Sequence, residues 1–351
     1  MKLSVVIMAG GSGKRFWPFS RETRAKQSLR LFSDKTLLAE TIERIEPLAE
    51  DILIVSSLKQ RAEIEKDAVK YKNVRVVYEP CGRNTAPCIM LALAAIKSRC
   101  GAEDRAVLVL PSDHYVADPE GFRKTVGTGL CFLVKNRESI GTIGSEPAYP
   151  ETGFGYIKKG DAAENGVFKV ASFEEKPCLE KAERFVRSGN YLWNGGIFLF
   201  SLSSMIDEFK KLAPDICEPV NSLQSFELPD ETVYSGIRSI SFDYAVMEKT
   251  EKPIFTVPGD FGWNDVGSWK AYFDLLPKDS CGNAKVGKAS FINCRNSFIA
   301  NLTEKEVVMF NKERELLAVT DDTMLSAALD DHSKMREITE FLSNSNLEKL
   351  L

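Results

Sequence analysis

Short, uniformly apolar runs alternate along the first half of the chain with longer stretches whose apolar residues recur at helical spacing. Strands are predicted at 4–8, 51–56, 74–78 and 106–110, and helices near 37–45, 60–71 and 86–98. That rhythm is the rhythm of βαβ units. The run Ala106-Val107-Leu108-Val109-Leu110 is apolar on both faces of a strand, so both faces need cover, as in a parallel sheet flanked by helices. The first half therefore reads as a doubly wound α/β fold. After Gly141 the pattern mixes, with strand-like 154–158, 167–174 and 196–202 separated by helices at 179–188 and 203–212, and it reads as an extension of the same sheet. The turn-rich stretch Pro277-Lys278-Asp279-Ser280-Cys281-Gly282-Asn283 ends this pattern. Beyond it, short strands at 290–293, 297–300, 307–310 and 316–319 form a small β appendage, either rungs of a β-helix or one small sheet, before a helix over 331–342. The predicted organisation is one large α/β domain over 1–276 and a small C-terminal β-rich domain over 284–351.

Composition agrees with this division. A chain of 351 residues exceeds one ordinary hydrophobic core. Its 44% apolar and 27% charged residues, with no run of like charge, suit a chain that folds throughout. A net charge of -4 argues against an extended nucleic-acid footprint, so any phosphate binding is local. The 8 cysteines are scattered without a CxxC pair and only 2 histidines accompany them, which disfavours a zinc site and fits free thiols in a reducing cytoplasm. The apolar opening runs into glycines without a small-x-small cleavage site and reads as a buried strand. No other stretch approaches the ~20 apolar residues that span a bilayer. A cytoplasmic protein without a membrane partner is expected.

Gly10-Gly11-Ser12-Gly13-Lys14-Arg15 follows the first strand directly, where glycines let backbone N–H groups approach a phosphate. The run is not a P-loop, because Arg15 stands where Ser or Thr is required. It is not a dinucleotide fingerprint either, because Phe16 replaces the third glycine and Trp17-Pro18-Phe19-Ser20 breaks any helix there. Taken alone it reads equally as a tight structural turn and as a ligand site. The cations Lys14, Arg15, Arg21, Arg24 and Lys26 that follow tilt the reading towards a triphosphate, at the carboxyl end of a strand where open α/β sheets bind ligands.

Asp113, in Pro111-Ser112-Asp113-His114, also follows a strand and suits Mg²⁺, although a turn or helix-capping aspartate fits the same position. Asp265 is a second candidate ligand, in the aromatic loop Phe261-Gly262-Trp263-Asn264-Asp265-Val266-Gly267-Ser268-Trp269, which could equally be a tight turn packed by its tryptophans. Lys176, in Glu174-Glu175-Lys176-Pro177, stands ready for a monoester phosphate, and the following proline is expected to hold it extended. Tyr191-Leu192-Trp193-Asn194-Gly195-Gly196 offers an aromatic plane and an amide for a sugar, with core packing an equal explanation of the tryptophan.

In their order along residues 1–270 these segments, together with Lys26-Gln27, Glu79-Pro80-Cys81-Gly82-Arg83-Asn84-Thr85-Ala86-Pro87, Thr152-Gly153-Phe154-Gly155-Tyr156-Ile157 and Phe242-Asp243-Tyr244-Ala245-Val246-Met247-Glu248, resemble the sugar nucleotidyltransferase family. Within it they are most similar to the mannose-1-phosphate guanylyltransferase branch. Ala25 stands where that family usually has Pro, Gly195 where it more often has Ser, and Phe16 where it more often has Leu. The resemblance implies a Rossmann-like mixed sheet of the nucleotide-diphospho-sugar transferase type. It implies transfer of a nucleotide from GTP to mannose 1-phosphate with Mg²⁺ and no protein nucleophile. It places Arg15 and Lys26 on the nucleotide phosphates, with Gly10, Gly11, Gly13, Ser112, Glu79, Pro80, Asn84 and Thr85 along the nucleotide. Lys176 would meet the sugar phosphate, Gly155, Glu175 and Asn194 would line the sugar pocket, and Asp113 and Asp265 would hold the metal. Another sugar 1-phosphate or triphosphate, or a non-catalytic relative that only binds nucleotide sugar, are the competing readings. The presence of Arg15, Lys26, Asp113 and Asp265 disfavours the last of these. A fused isomerase domain is not expected, since the sequence stops at Leu351 with few histidines. A homodimer is left open.

Overall fold

A computed structural model describes residues 1–11, 13–331, 334–345, 347 and 350, and for residues 14 and 336 the backbone alone. The chain divides into two units, Met1–Gly10 with Leu38–Trp263, and Gly11–Leu37 with Asn264–Leu351. The predicted break at 277–283 divides the chain differently, because the glycine-rich segment groups with the C-terminal residues.

The first unit is built on strands β1 (Leu3–Ala9), β2 (Asp51–Ser57), β3 (Val74–Glu79), β4 (Ala106–Pro111), the two-residue β5 (Tyr115–Val116), β6 (Ile140–Ser145), β7 (Gly155–Ala162), β8 (Phe168–Glu174), β9 (Tyr191–Ser201) and β10 (Ile254–Gly259). Nine of them form one sheet in the order β3-β2-β1-β4-β9-β6-β10-β8-β7, with β9 also pairing β7. The β3-β2-β1-β4 half is parallel, and β9 joins it antiparallel, Val107 facing Phe200. The second half thus extends the same sheet, as the sequence pattern predicts. Along β1, Val6 packs into one core and Val5 and Ile7 into the other, the two-residue period of a strand covered on both faces. One cover includes α3 (Thr85–Cys100), α6 (Leu202–Leu212) and α7 (Pro214–Asn221); the other includes α1 (Leu37–Ile45), α2 (Arg61–Ala68) and α4 (Pro119–Lys135). Between β8 and β9 lies α5 (Leu179–Ser188), and α8 (Glu231–Ser235) precedes a π-helical turn at Asp243–Met247. Because β1, β3 and β4 run parallel, Gly10, Glu79 and Ser112-Asp113 come at the same edge of the sheet.

In the second unit, Phe16 and Phe19 pack on Trp269 of α9 (Trp269–Leu275), and Trp269 and Tyr272 pack on Phe298. The appendage strands pair in parallel, Ala284 with Phe298, Ala289 with Val307 and Phe298 with Leu316, the last two pairings at the same sequence offset. That is the pairing of stacked rungs. A further strand, Met324–Ala328, closes the stack antiparallel. The last helix is α10 (Met335–Ser343); residues 332 and 333 of the predicted 331–342 helix lie outside the described residues. Among the described residues no helix is long and apolar enough to cross a membrane.

Candidate active site

In the first unit the predicted nucleotide residues meet at the strand ends. A Cβ at Gly10 would fall 2.9 Å from Glu79 Oε2, so only glycine lets β1 end so close to that carboxylate. Glu79 is 3% exposed and accepts a 2.6 Å hydrogen bond from the Tyr234 hydroxyl. Burial pushes its carboxyl up to about 7, the Tyr234 bond offsetting part of the rise. Tyr234 in turn is held well above the usual phenol range by burial and then by the Glu79 charge. Past Pro80, Asn84 takes a left-handed φ of 67° and caps α3 by accepting from Thr85 N at 2.8 Å. Thr85 Oγ1 accepts from Phe242 N at 2.8 Å, and the Arg83 guanidinium donates to the Ser235 carbonyl. At the end of β4 Ser112 is buried, its N–H donating to Met8 O at 3.1 Å. Asp113 lies in the bend after β4, and the cap of α4 is Asp118, so the helix-capping reading of Asp113 does not hold. His114 Nδ1 accepts from Trp263 Nε1 at 3.1 Å, and its Nε2 lies 4.0 Å from Asp113 Oδ1.

The predicted sugar-phosphate residues come together on β7, β9 and the turn after β8. A Cβ at Gly155 would fall 2.5 Å from Glu175 Oε2 and 3.2 Å from Asn194 Cβ. Glu175 Oε1 accepts from Lys176 Nζ at 2.6 Å, and that bond holds the lysine above its usual range. Lys176 is not extended as the sequence predicts. Its φ is 46°, set by the turn that lets its N–H donate to Phe154 O at 3.2 Å, an uncommon conformation for a residue with a Cβ. Asn194 is held at both ends of its amide, Nδ2 donating to Asp243 Oδ1 at 2.9 Å and Oδ1 accepting from Gly196 N at 3.1 Å. Burial, and then the Glu175 charge, push Asp243 up to about 6. Trp193, 4% exposed, packs on Tyr149 and Phe154, so its ring belongs to the core and offers no platform to a sugar.

In the second unit a Cβ at Gly13, whose φ is 61°, would fall 2.5 Å from Lys26 N. The glycine brings the loop against Lys26, a buried lysine whose Nζ donates to Asp265 O at 2.5 Å. Asp265 Oδ1 accepts from Gly267 N at 2.9 Å within its own turn. Gly11 and Arg15 are exposed, and Ser12 and the Lys14 side chain lie outside the described residues. Asp113 belongs to the first unit and Asp265 to the second.

Two residues with no role assigned from the sequence, Tyr234 and Asp243, contact predicted ones. Asp243 stands in the motif Phe242 to Glu248, and the signal for it is one acid in the otherwise apolar and aromatic run Phe242-Asp243-Tyr244-Ala245-Val246-Met247. Tyr234 lies in a weakly patterned stretch that offers no such signal. A cavity of about 370 Å³ is lined by Lys158, Glu174, Lys181, Arg184, Phe185 and Tyr191 among others, none of them a predicted site residue.

Residues 4–280 match the nucleotidyl transferase family. A mannose-1-phosphate guanylyltransferase from Salmonella muenchen is 35% identical over 356 residues, covering 98% of this chain and 74% of the relative. One from Escherichia coli strain K12 is 36% identical over 354 residues, covering 97% and 73%. The crystal structure of mannose-1-phosphate geranyltransferase from Thermus thermophilus superposes at a TM-score of 0.87 and 33% identity, over 98% of this chain and 100% of that one.

Proposed function

The chain belongs to the nucleotidyl transferase family, and on that footing we propose that it is a mannose-1-phosphate guanylyltransferase, making GDP-mannose and pyrophosphate from GTP and mannose 1-phosphate. The observation that carries this reading is the near full-length likeness to relatives of that name. The gathering of Gly155, Glu175, Lys176 and Asn194 in one place supports it.

In the proposed reaction an oxygen of the sugar 1-phosphate attacks the α-phosphorus of GTP. The bond from that phosphorus to the oxygen bridging it to the β-phosphorus breaks, and pyrophosphate leaves with the electron pair. The attacking phosphate has its second pKa near ~6 and is largely ionised at neutral pH, so positioning and charge neutralisation matter more than a general base. Lys176 is the proposed partner of the sugar phosphate, and Glu175 and Asn194 of the sugar hydroxyls. Arg15 and Lys26 are the proposed partners of the triphosphate, with Gly10, Glu79, Ser112 and the Asn84-Thr85 turn along the nucleotide.

Asp113 and Asp265 are each proposed as a carboxylate ligand of Mg²⁺. The donor type fits, since this hard cation takes one or two carboxylates plus substrate phosphates. Among the described residues no group of three or more His, Cys, Asp or Glu gathers, so substrate oxygens and water would supply the remaining ligands. When bound, the ion offsets negative charge on the phosphate oxygens. All eight cysteines are free, which supports a reducing, cytoplasmic setting.

The test is release of pyrophosphate from GTP, expected only when mannose 1-phosphate and Mg²⁺ are both supplied and far slower with glucose 1-phosphate or with other triphosphates. No release with any pair rejects the transferase. Asp113→Asn is expected to lower turnover by about a thousandfold with an unchanged melting temperature. Wild-type turnover in that variant removes Asp113 from the metal.

A further inference from the structure

Asp243 is buried enough for its carboxyl to rise above the usual aspartate range, yet it sits among the charges of the sugar-phosphate cluster, Glu175 and Lys176. A carboxylate so placed is costly unless it is hydrogen-bonded or paired. Its Oδ1 accepts from Asn194 Nδ2 at 2.9 Å while Asn194 Oδ1 accepts from Gly196 N at 3.1 Å. Those two bonds fix which end of the amide is which. One Nδ2 hydrogen and one Oδ1 lone pair remain for a ligand, in a set orientation. The backbone that carries Asp243 is itself pinned. Phe242 N donates to Thr85 Oγ1 at 2.8 Å and Ala86 N donates to Ile240 O at 3.1 Å, so the segment is tied to the first turn of α3. Its far side is solid, with Phe242, Ala245, Val246 and Met247 all in the core. The backbone that carries Asp243 therefore cannot shift away from Asn194 without unseating packed residues.

We infer that Asp243 is a positioning residue for the sugar half of the site, acting through Asn194: it holds the amide in the one orientation that meets the sugar hydroxyls. This rests on the reading of the cluster as the sugar 1-phosphate site. The role is one of geometry, and Asp243 takes no part in bond making.

The experiment is steady-state kinetics on the full chain, with GTP and mannose 1-phosphate varied in turn. Asp243→Leu, which keeps the branched shape and removes the acceptor, is expected to raise KM for mannose 1-phosphate by about tenfold, the loss expected when a charged hydrogen-bond acceptor is removed. KM for GTP and the melting temperature are expected to stay near wild type. In an Asn194→Ala background the same substitution is expected to add nothing, because the group it orients is gone. The inference is overturned if folded Asp243→Leu binds mannose 1-phosphate as wild type does, if both KM values rise together, or if the effect persists undiminished without the Asn194 amide. Should the leucine variant not fold, Asp243→Ala is read by the same criteria. Failure of the parent reading looks different, because the unmutated protein would then release no pyrophosphate from this pair.

Discussion

Glu79 shows how one side chain can carry both the packing of a strand end and a pH dependence. It ionises near 4.5 when solvated, and burial in the fold raises that to about 7. Between those values the folded protein keeps a proton that the unfolded chain has lost. The stability tied to this proton is therefore fully present below about 4.5 and is lost as pH rises to about 7. Glu79→Gln, neutral throughout, should gain on the wild type by on the order of 2–3 kcal/mol between pH 5 and pH 8, read from urea unfolding at the two pH values. A difference that stays constant with pH would show that Glu79 is already ionised in the fold. Glu79 could be picked out from the sequence only by resemblance, since it opens the run Glu79 to Pro87 that matches the sugar nucleotidyltransferase family. Its partner Tyr234 could not, since a distant hydroxyl that closes on it after folding leaves no local pattern.

Elements whose apolar spacing is strong have the bounds that the sequence predicts. The helices Leu37–Ile45 and Leu179–Ser188 begin and end as predicted, the second stopping at Gly189 in the left-handed conformation that favours glycine. Pro119–Lys135 is absent from the sequence reading because Gly121, Gly127 and Gly129 with two threonines blur its helical period. Yet its start carries a clear signal, Asp118 capping Glu120 and Gly121 ahead of Pro119. In the appendage the hydrophobic pattern is thin because each rung is short, and buried asparagines hold the turns instead. Asn301 is 2% exposed; its Nδ2 donates to Lys288 O at 2.8 Å and Lys305 O at 2.7 Å, and its Oδ1 accepts from Thr303 N at 2.9 Å. Asn301→Ala strips partners from three backbone groups and should cost about 2 kcal/mol, seen as a lower melting temperature. Asn301→Asp keeps the acceptor but not the donors and should lie no closer to wild type than the alanine. A melting temperature unchanged in both variants would leave the rungs to packing alone.

At the level of the whole chain, the least foreseeable result is the company kept by Gly11–Leu37. Sequence order places this segment beside β1, and a reading by proximity assigns it to the large α/β domain. Its aromatic residues belong elsewhere, with Phe16 and Phe19 against Trp269 and the carbonyl of Leu31 accepting from Tyr272 at 2.5 Å. Trp269 and Tyr272 in turn rest on Phe298, in a rung of the appendage. Lys26 follows the same logic, its ammonium on the Asp265 carbonyl and its backbone against Gly13. Pairings across more than two hundred residues are invisible to periodicity, which reports only on neighbours a turn or a pleat away. The appendage therefore underlies the loop that carries Arg15 and Lys26, whatever else it does. A chain ending after Gly282 keeps every strand of the nine-stranded sheet but loses Phe298 from beneath Trp269 and Tyr272. It should retain most of its far-UV circular dichroism while GTP-dependent pyrophosphate release falls by more than about tenfold, the effect of roughly 1.4 kcal/mol or more at the loop. Phe298→Ala in the full chain makes the same cut more gently and should raise KM for GTP more than KM for mannose 1-phosphate. If the shortened chain turns over at the rate of the full one, the aromatic stack does not order the glycine loop, and the contacts of Lys26 with Gly13 and the Asp265 carbonyl hold it without Phe298.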